Sequence, residues 1–390
     1  MNPSASGWIT KLLKNLSENQ EFINQSEAVL YCSLRDSGFI YGNNRSLIVN
    51  FIDSQDLTDE EICKINLFLA LYFTHHKSQS KQNFLDSIIE FYKNIDVYKS
   101  SFLNSIFSGK ISNGLLEKII HKRVQIDDNI LIKNFNYFVI NALLYVDILA
   151  YKEYLISNSI SVNYIKKLEA SIEKIVLDVL NSKIIKSKYD ESIIKLFEAS
   201  LRYRDNTHIS RDEALVNLTK KHEKWYLFDI ACMSTWSDKI IDEKEQVFLF
   251  NLGTELQLSN DIIKNSIDSV NSFYTKHKDS IDLLSSRNIA KNFYDNSSKM
   301  VSKLVSRNKK RLQKEIQQSK ELMVLISQST VRDLSKEESK QLQEQLVDII
   351  KTIPSLAIFM LPGGAILLPL FIKLIPKLLP SAFDDNRIED

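Results

Sequence analysis

An acidic run between two apolar stretches is the first place where the residue types suggest chemistry. The run contains four carboxylates: Asp238, Asp242, Glu243 and Glu245. Clustered carboxylates can bind a hard cation such as Ca²⁺ through their oxygen atoms. Acidic residues in the first turn of a helix also complement the helix dipole without any metal. The sequence therefore leaves a divalent-cation site and a plain helix start both open, and it predicts no other cofactor.

The histidines and cysteines form no catalytic pattern that the sequence can show. The six histidines, among them His75, His76 and His222, lack the HExxH spacing of zinc proteases, and Ser108 of a Ser-Gly-Lys triplet lacks the upstream glycine of a phosphate-binding loop. Cysteine–histidine nucleophile pairs stay open because they meet in space rather than in sequence. We expect these histidines to be surface or core residues, and we expect that the protein is not an enzyme.

A basic run is the second candidate for chemistry. Against one acid, Glu315, it carries these cations: Lys299, Lys303, Arg307, Lys309, Lys310, Arg311, Lys314 and Lys320. Basic residues near an apolar tail can contact anionic lipid headgroups, and the candidates are Lys303, Arg307, Lys310, Arg311 and Lys314. The alternative is the solvated face of an amphipathic helix. RNA binding is less favoured because no aromatic residues interleave the cations, and a net charge of +1 makes DNA an unlikely partner.

The most apolar stretch holds five of the six prolines and predicts contact with a membrane. The residues of this candidate membrane segment are Pro354, Pro362, Gly363, Gly364, Pro369, Lys373, Pro376 and Pro380. The uncharged run 352–372 is long enough to cross a hydrocarbon core of roughly 30 Å. Interior prolines break soluble helices at a cost of about 3 kcal/mol each, whereas a membrane setting tolerates them when neighbouring groups satisfy the freed carbonyls.

A buried hairpin is the alternative for the same segment. Pro362, Gly363 and Gly364 could form a turn between two short helices that enter one leaflet or pack on the protein. If the helix instead continues, Pro362, Pro369 and Pro376 share one stripe because they are seven residues apart. The predicted element is therefore a proline-laddered apolar helix or helical hairpin.

The stretch 334–383 resembles, without a gap, the membrane segment of the mitochondrial leucine-zipper and EF-hand transmembrane (LETM) family. The matching positions are the five prolines, Leu334, Ser335, Glu338, Asp348, Lys351, Lys373, Ser381 and Phe383. The resemblance implies membrane association over about 50 residues. The family's ribosome-binding domain and EF-hand would follow this segment, whereas the sequence ends at Asp390, so ribosome binding is only weakly expected. Ala365 stands where the family usually has a glutamate, which weakens cation/proton exchange.

Two further resemblances concern the rest of the chain. The segments 1–13 and 38–42 resemble the LETM-related biofilm-associated proteins of Bacteroidetes. The region around the acidic run resembles tellurite-resistance TerB-like domains, which are small helical bundles, although Lys239 replaces a usual glycine. The residues that carry this pattern are Ala231, Asp238, Ile241, Asp242, Glu243, Glu245, Leu249, Leu252, Gly253, Leu256 and Leu258. A similar Asp-Ile pair at Asp147 and Ile148 hints at an earlier copy of the bundle.

The elements that must position these residues are predicted to be helices. No proline lies between Pro3 and Pro354, and glycines are sparse over the same stretch. Apolar residues recur at spacings of three and four, as in amphipathic helices on a core. Capping boxes, in which a hydroxyl and a carboxylate bind free backbone donors, are expected at Thr58/Glu61, Ser210/Glu213 and Ser335/Glu338. We therefore predict an all-α fold.

The predicted organisation has a helical body and a special C-terminus. The expected segments are an N-terminal helical domain at 1–205, a TerB-like bundle at 206–278, a long basic amphipathic helix at 279–333, a LETM-like membrane segment at 334–383 and a polar tail at 384–390. A length of 390 residues and 44% hydrophobic content allow two or three cores. Three cysteines without metal spacing and no recognisable signal peptide favour a reducing cytoplasm.

These observations favour a non-catalytic, membrane-associated protein that acts as a scaffold or interaction protein in cell-envelope or biofilm physiology. The biofilm role is implied by resemblance alone. The alternatives are a component of cation/proton exchange and a ribosome-associated protein. The expected partners are membrane lipid and unidentified proteins, and the expected location is the cytoplasmic face of a bacterial inner membrane, with the C-terminus anchored or peripheral.

Overall fold

The structure is a computed structural model of the 390-residue chain. It describes residues 1–19, 24–39, 47–52, 57–78, 80–96, 112–124, 143–182, 209–235, 243–277, 298, 301–353, 356, 371–372 and 375. The described elements are all helical and include no strand, which confirms the all-α prediction for this part of the chain. The chain forms two compact units. Unit 1 comprises Met1–Ile126 and Asn136–Ser285, and unit 2 comprises Asp127–Phe135 and Ser286–Asp390.

Unit 1 is built from helices around one apolar core. They are α1 (Trp8–Glu18), α2 (Glu27–Leu34), α3 (Asp59–Lys77), α4 (Phe84–Asp96), α5 (Asn113–Val124), α6 (Tyr145–Ser157), α7 (Val162–Ser182), α8 (Arg211–Val216), α9 (Lys221–Thr235), α10 (Glu243–Glu255) and α11 (Asn260–His277). A short π-helix at Arg35–Phe39 follows α2, and a 3₁₀-helix lies at Ile48–Asn50. Helices from both the predicted N-terminal domain and the predicted TerB-like bundle contribute to this single core.

The three predicted capping boxes are confirmed. Thr58, Ser210 and Ser335 each accept a hydrogen bond from the backbone N–H three residues later. In each box the glutamate of that later residue accepts a hydrogen bond from the backbone N–H of the capping residue. These reciprocal bonds satisfy donors that a helix start leaves without an intrahelical partner.

One glycine allows close packing inside unit 1. A Cβ atom on Gly253 of α10 would lie 2.5 Å from Ile263 Cδ1 of α11 and 3.3 Å from Phe228 Cε2 of α9. Only a residue without a side chain lets these helix surfaces approach so closely. The residue therefore serves packing in unit 1.

Unit 2 is also built from helices. Residues 301–307 are helical, and α12 (Lys309–Gln317), α13 (Lys320–Val331) and α14 (Lys336–Thr352) follow. Its described core consists of apolar side chains from these elements together with Ile353, Leu356, Phe371 and Ile375. Among the residues that the structure describes, no helix is both long enough and apolar enough to cross a bilayer.

The described part of the expected long basic helix differs from the prediction. Over residues 301–331 the helical conformation is interrupted at Asn308 and again at Ser319. Asn308 Nδ2 donates to Leu304 O at 2.7 Å, and Ser319 Oγ accepts from Leu322 N at 3.2 Å. Asparagine and serine compete with helix bonds in this way because their short side chains reach nearby backbone groups. The prediction considered glycine and proline as breakers and missed these two residues.

Candidate functional site

The basic face of unit 2 lies on α12, which positions its cations by an amphipathic pattern. Leu312 and Ile316 are fully buried in the core of unit 2, whereas Lys310 and Lys314 are exposed. Neither lysine forms an ion pair with a carboxylate that the structure describes, so both ammonium groups are available to an anionic partner. Lys309, at the start of α12, and Lys320, at the start of α13, are also exposed. We call these four exposed lysines the basic face.

The other predicted headgroup contacts are placed differently. Lys303 and Arg307 are half-buried. Arg311 is exposed, but its Nη2 donates to Thr352 O at 2.7 Å, at the carboxyl end of α14. A cation at that end complements the helix dipole and satisfies a carbonyl that has no intrahelical partner. Of the five candidates, Lys310 and Lys314 therefore have the most accessible charges, and Arg311 has a structural contact.

An ion pair that the sequence did not predict holds the start of α14. Arg332 Nη1 and Nη2 donate to the two carboxylate oxygens of Glu338 at 2.9 and 2.6 Å. Glu338 also accepts from Ser335 N at 2.8 Å. Hydrogen bonds from Arg332, and then from Ser335, lower the pKa of Glu338 to about 2. The capping residue is thus part of a small ionic network that fixes where α14 begins.

Polar contacts also join α13 to α14. Glu321 accepts hydrogen bonds from the side-chain amides of Gln341 and Gln345, the second at 2.9 Å. Ser319 Oγ donates to Gln345 Oε1 at 3.1 Å. The turn that leads into α13 is therefore tied to the middle of α14.

The predicted membrane segment falls almost entirely outside the described residues. Its candidate residues Pro354, Pro362, Gly363, Gly364, Pro369, Lys373, Pro376 and Pro380 all lie there. The described residues within the same apolar stretch, Leu356, Phe371 and Ile375, are fully buried in the core of unit 2. This burial is the arrangement that the alternative of a packed hairpin predicts for these three side chains.

The predicted cation site is only partly described. Asp238 and Asp242 lie outside the described residues. Glu243 and Glu245 occupy the first turn of α10, where Glu243 is exposed and Glu245 is buried. The described residues contain no group of three or more metal-binding side chains. The position of the two glutamates suits the helix-dipole interpretation, and the metal interpretation stays a prediction.

Two buried carboxylates in unit 1 are contacts that sequence reasoning missed. In α6, Asp147 accepts from Arg123 Nε at 2.7 Å and from Tyr92 Oη at 3.1 Å. In α9, Asp229 accepts from Tyr31 Oη at 2.5 Å and lies 3.7 Å from Arg35 Nη1. The Asp-Ile pair at 147–148 was a visible signal, but its arginine and tyrosine partners lie on distant helices.

A comparison with family models matches the C-terminal region of the chain. Residues 334–390 match the protein-family model described as "LETM1-like, RBD". A stretch of 55 residues is 40% identical to "LETM1 domain-containing protein mdm28, mitochondrial" of Schizosaccharomyces pombe, and it covers 14% of this chain and 12% of that protein. No solved structure matches the chain significantly. The C-terminal region is therefore LETM1-like, as its proline pattern indicated, while the TerB-like and biofilm-related resemblances stay predictions.

Proposed function

We propose that this chain is a non-catalytic, membrane-associated LETM-related protein, in which unit 2 makes the lipid contact and the helical body binds other proteins as a scaffold. The observation that carries the proposal is the family match at 334–390, which covers the proline-rich apolar stretch. The exposed lysines of the same unit support it, because basic residues close to an apolar segment favour an acidic leaflet.

The burial of Leu356, Phe371 and Ile375 limits how this contact can form. Because these side chains already lie in the core of unit 2, the proposal uses the remaining apolar residues of 357–370 together with the basic face. An apolar surface flanked by cations binds at the interface of a bilayer without crossing it. The proposed location is the cytoplasmic face of a bacterial inner membrane, and a role in cell-envelope or biofilm physiology is part of the proposal.

Vesicle binding by the full chain tests the lipid contact. We expect co-sedimentation with vesicles that contain phosphatidylglycerol and much weaker co-sedimentation with pure phosphatidylcholine. The double substitution Lys310→Gln/Lys314→Gln should weaken the affinity about 30-fold, if each lysine contributes about 1 kcal/mol. The matched control is Lys118→Gln/Lys276→Gln, which removes two exposed lysines from unit 1. Equal binding by both double variants would contradict the proposal.

Carbonate extraction of membranes from cells that express the full chain gives a second, independent test. An interfacial contact through charge and a limited apolar surface should be released by alkaline carbonate, whereas a spanning segment should resist it. Truncation before Leu334 is a poor variant for this purpose. It would remove Leu342, Leu346 and Ile350 from the core of unit 2 and expose the helices that remain.

Ribosome association is the second candidate, because the description of the matched model contains the term RBD and the basic face is the surface that could meet RNA phosphates. It predicts that the full chain sediments with ribosomes and that binding weakens steeply as salt increases. Lys310→Gln/Lys314→Gln should reduce this binding, and the control pair should not. Cation/proton exchange has no comparable support. Of the two residues on which such exchange would depend, Lys373 lies outside the described residues, and Asp348 is exposed and pairs with Lys351 at 2.8 Å.

A further inference from the structure

A large groove crosses unit 1, far along the sequence from the LETM1-like region. Its lining comes from α2, from the second half of α3 and the loop that follows it, from α6 and from the first turns of α9. The groove encloses a volume of about 1230 Å³. Typical sites for small ligands have volumes of roughly 300–1,000 Å³, so this groove has room for a larger ligand.

The floor of the groove is apolar. Leu30, Leu34, Phe73, Ile148 and Leu149 line it and are themselves buried against the core. Aromatic rings extend this surface, because Tyr31 packs against Trp225 with ring centroids 4.4 Å apart. At the edge, the apolar side chain of Ile156 is 70% exposed and also lines the groove.

The rim of the groove is basic. Lys77, Lys81 and Lys221 are exposed, and none of them forms an ion pair with a carboxylate in the described part of the chain. Lys152 also lines the rim, where it pairs with Glu27. Four lysines against one carboxylate make this rim strongly positive, although the whole chain has a net charge of only +1. The charge complements an anionic group held at the mouth of the groove.

Three polar groups on the walls are already engaged within the protein. Thr74 Oγ1 donates to Ala70 O at 2.8 Å, and Ser78 Oγ donates to His75 O at 2.6 Å. Trp225 Nε1 donates to Ser266 Oγ at 3.2 Å. The elements that form the walls are mainly helices, whose backbone groups are paired internally, so the groove offers no strand edge to an extended peptide. Hydrocarbon chains need no such partners and are favoured by an apolar floor.

We propose that this groove binds an acidic phospholipid, with its two acyl chains on the apolar floor and its phosphate group against Lys77, Lys81 and Lys221. Glu27, the one carboxylate residue in the described lining of the groove, pairs with Lys152, which reduces its repulsion of the phosphate. This site lies in unit 1 and uses none of the residues that the proposed vesicle contact uses.

The test uses the full chain and water-soluble lipids below the concentration at which they form micelles. Dioctanoyl phosphatidylglycerol is the anionic probe, and dioctanoyl phosphatidylcholine is its zwitterionic counterpart. Binding is followed by calorimetry and by the fluorescence of Trp225, with Trp225→Phe identifying the part of the signal that comes from the groove. We expect phosphatidylglycerol to bind about tenfold more tightly than phosphatidylcholine. This factor corresponds to about one favourable charge contact that phosphatidylglycerol makes and phosphatidylcholine does not make.

Paired variants measure separately how the basic rim and the apolar surface of the groove contribute to lipid binding. Lys77→Gln/Lys81→Gln should weaken phosphatidylglycerol binding about tenfold, whereas Lys118→Gln/Lys276→Gln should leave it unchanged. Ile156→Glu places a carboxylate at the apolar edge and should reduce binding of both lipids. Its control is Val216→Glu, which changes a side chain that is 77% exposed and outside the groove. Because Ile156 and both lysines are exposed, these changes should not unfold unit 1.

Several results would overturn the proposal. Absence of binding for both lipids, or equal binding that the rim variants do not alter, would contradict it. So would an acidic amphipathic peptide that competes for the groove and binds more tightly than either lipid, because the groove would then be a protein-docking surface. Lys310→Gln/Lys314→Gln should bind the soluble lipid normally. The experiments therefore distinguish a failure of the proposed vesicle contact of unit 2 from a failure of the proposed lipid binding in the groove of unit 1.

Discussion

The cores of the two units differ in the polar groups that they contain. Every charged or polar residue that is buried in the described part of the chain belongs to unit 1, including the carboxylates Asp147 and Asp229. The described core of unit 2 is formed by apolar side chains. In unit 2 the polar contacts lie at the surface instead, as in the pair of Arg332 and Glu338.

This difference shows two ways of fixing helices in place. In unit 1, a buried carboxylate must find its arginine and tyrosine partners, because an unpaired buried charge is very costly. Such contacts select one arrangement of helices over others that bury similar apolar area. In unit 2, apolar burial is less selective, and caps and exposed hydrogen bonds define where the helices begin and end. We expect mutations to have correspondingly different effects.

The largest difference should come from removing one member of an ion pair in each unit. Asp147→Ala leaves Arg123 buried without its carboxylate, which should lower the free energy of unfolding by about 3–5 kcal/mol. Asp348→Ala breaks the exposed pair with Lys351 in unit 2 and should cost about 0–1 kcal/mol. Urea unfolding measures both changes. The three tryptophans all lie in unit 1, so their fluorescence follows that unit, while circular dichroism follows both.

A partial rescue would sharpen this result. Arg123→Met added to Asp147→Ala removes the charge that was left unpaired, so it should recover part of the lost stability. Similar losses for Asp147→Ala and Asp348→Ala would contradict the contrast between the two cores.

The pH dependence should differ between the units by a smaller amount. Burial, and then the charge of Lys152, lower the pKa of His222 from 6.5 to about 4. Because the unfolded state binds the proton more readily, the stabilisation is complete above about pH 6.5 and is lost as the pH falls to 4. The loss in unit 1 is at most about 3 kcal/mol. All six histidines lie in unit 1, so histidine titration should not destabilise unit 2.

Unfolding of the wild type and of His222→Gln between pH 7 and 4 measures this contribution. The variant should lose less stability than the wild type over this window. His75 and His76 contribute to the slope in both proteins, since burial lowers the pKa of each. Identical slopes would show that His222 titrates alike in the folded and unfolded states.

Close packing in unit 1 predicts a further effect of intermediate size. Gly253→Ala places a methyl group within 2.5 Å of Ile263 and should cost about 1–3 kcal/mol in tryptophan-detected urea unfolding. Gly114→Ala is the control, because a Cβ there meets no atom closer than 3.9 Å. That change should stabilise unit 1 by about 0.5 kcal/mol, since alanine favours a helix. Ile263→Val should relieve part of the first effect.

The smallest effect concerns the exposed network at the start of α14. Arg332→Gln removes the strongest hydrogen bonds to Glu338, so the pKa of Glu338 should rise from about 2 towards 4.5. Carbon-detected NMR titration of the carboxyl group measures this change. In the wild type the lowered pKa stabilises unit 2 above about pH 4.5, and this stabilisation disappears as the pH falls towards 2. A pKa that stays near 2 in the variant would show that Ser335 alone lowers it.

Local features could be predicted from the sequence because they depend on interactions between residues that are only a few positions apart. The capping boxes at Thr58, Ser210 and Ser335 depend on side chains three residues apart, and all three formed. The interruptions at Asn308 and Ser319 are equally local. They could have been found by treating asparagine and serine, and not only glycine and proline, as residues that compete with helix bonds.

Contacts between distant residues were not readable in the same way. Tyr31 and Asp229 are 198 residues apart, and the sequence gives no sign that they form a hydrogen bond. The side chain of Glu117 likewise accepts from the backbone N–H groups of Gly7 and Ile9, at the start of α1. These hydrogen-bond partners are determined by how the helices pack. A polar group that becomes buried on packing must form its hydrogen bond with a group on the neighbouring helix.

The amino-acid sequence by itself determined that the chain is helical, where several helices begin, and that its last part is LETM1-like, because propensity, capping and motif spacing are local properties. The tertiary structure alone decided that both carboxylates are buried with an arginine and a tyrosine, and that four separate segments meet to form a groove with an apolar floor and a basic rim. The physical reason is that burial and charge complementarity depend on which helix faces pack together, and many packings are compatible with one set of amphipathic helices.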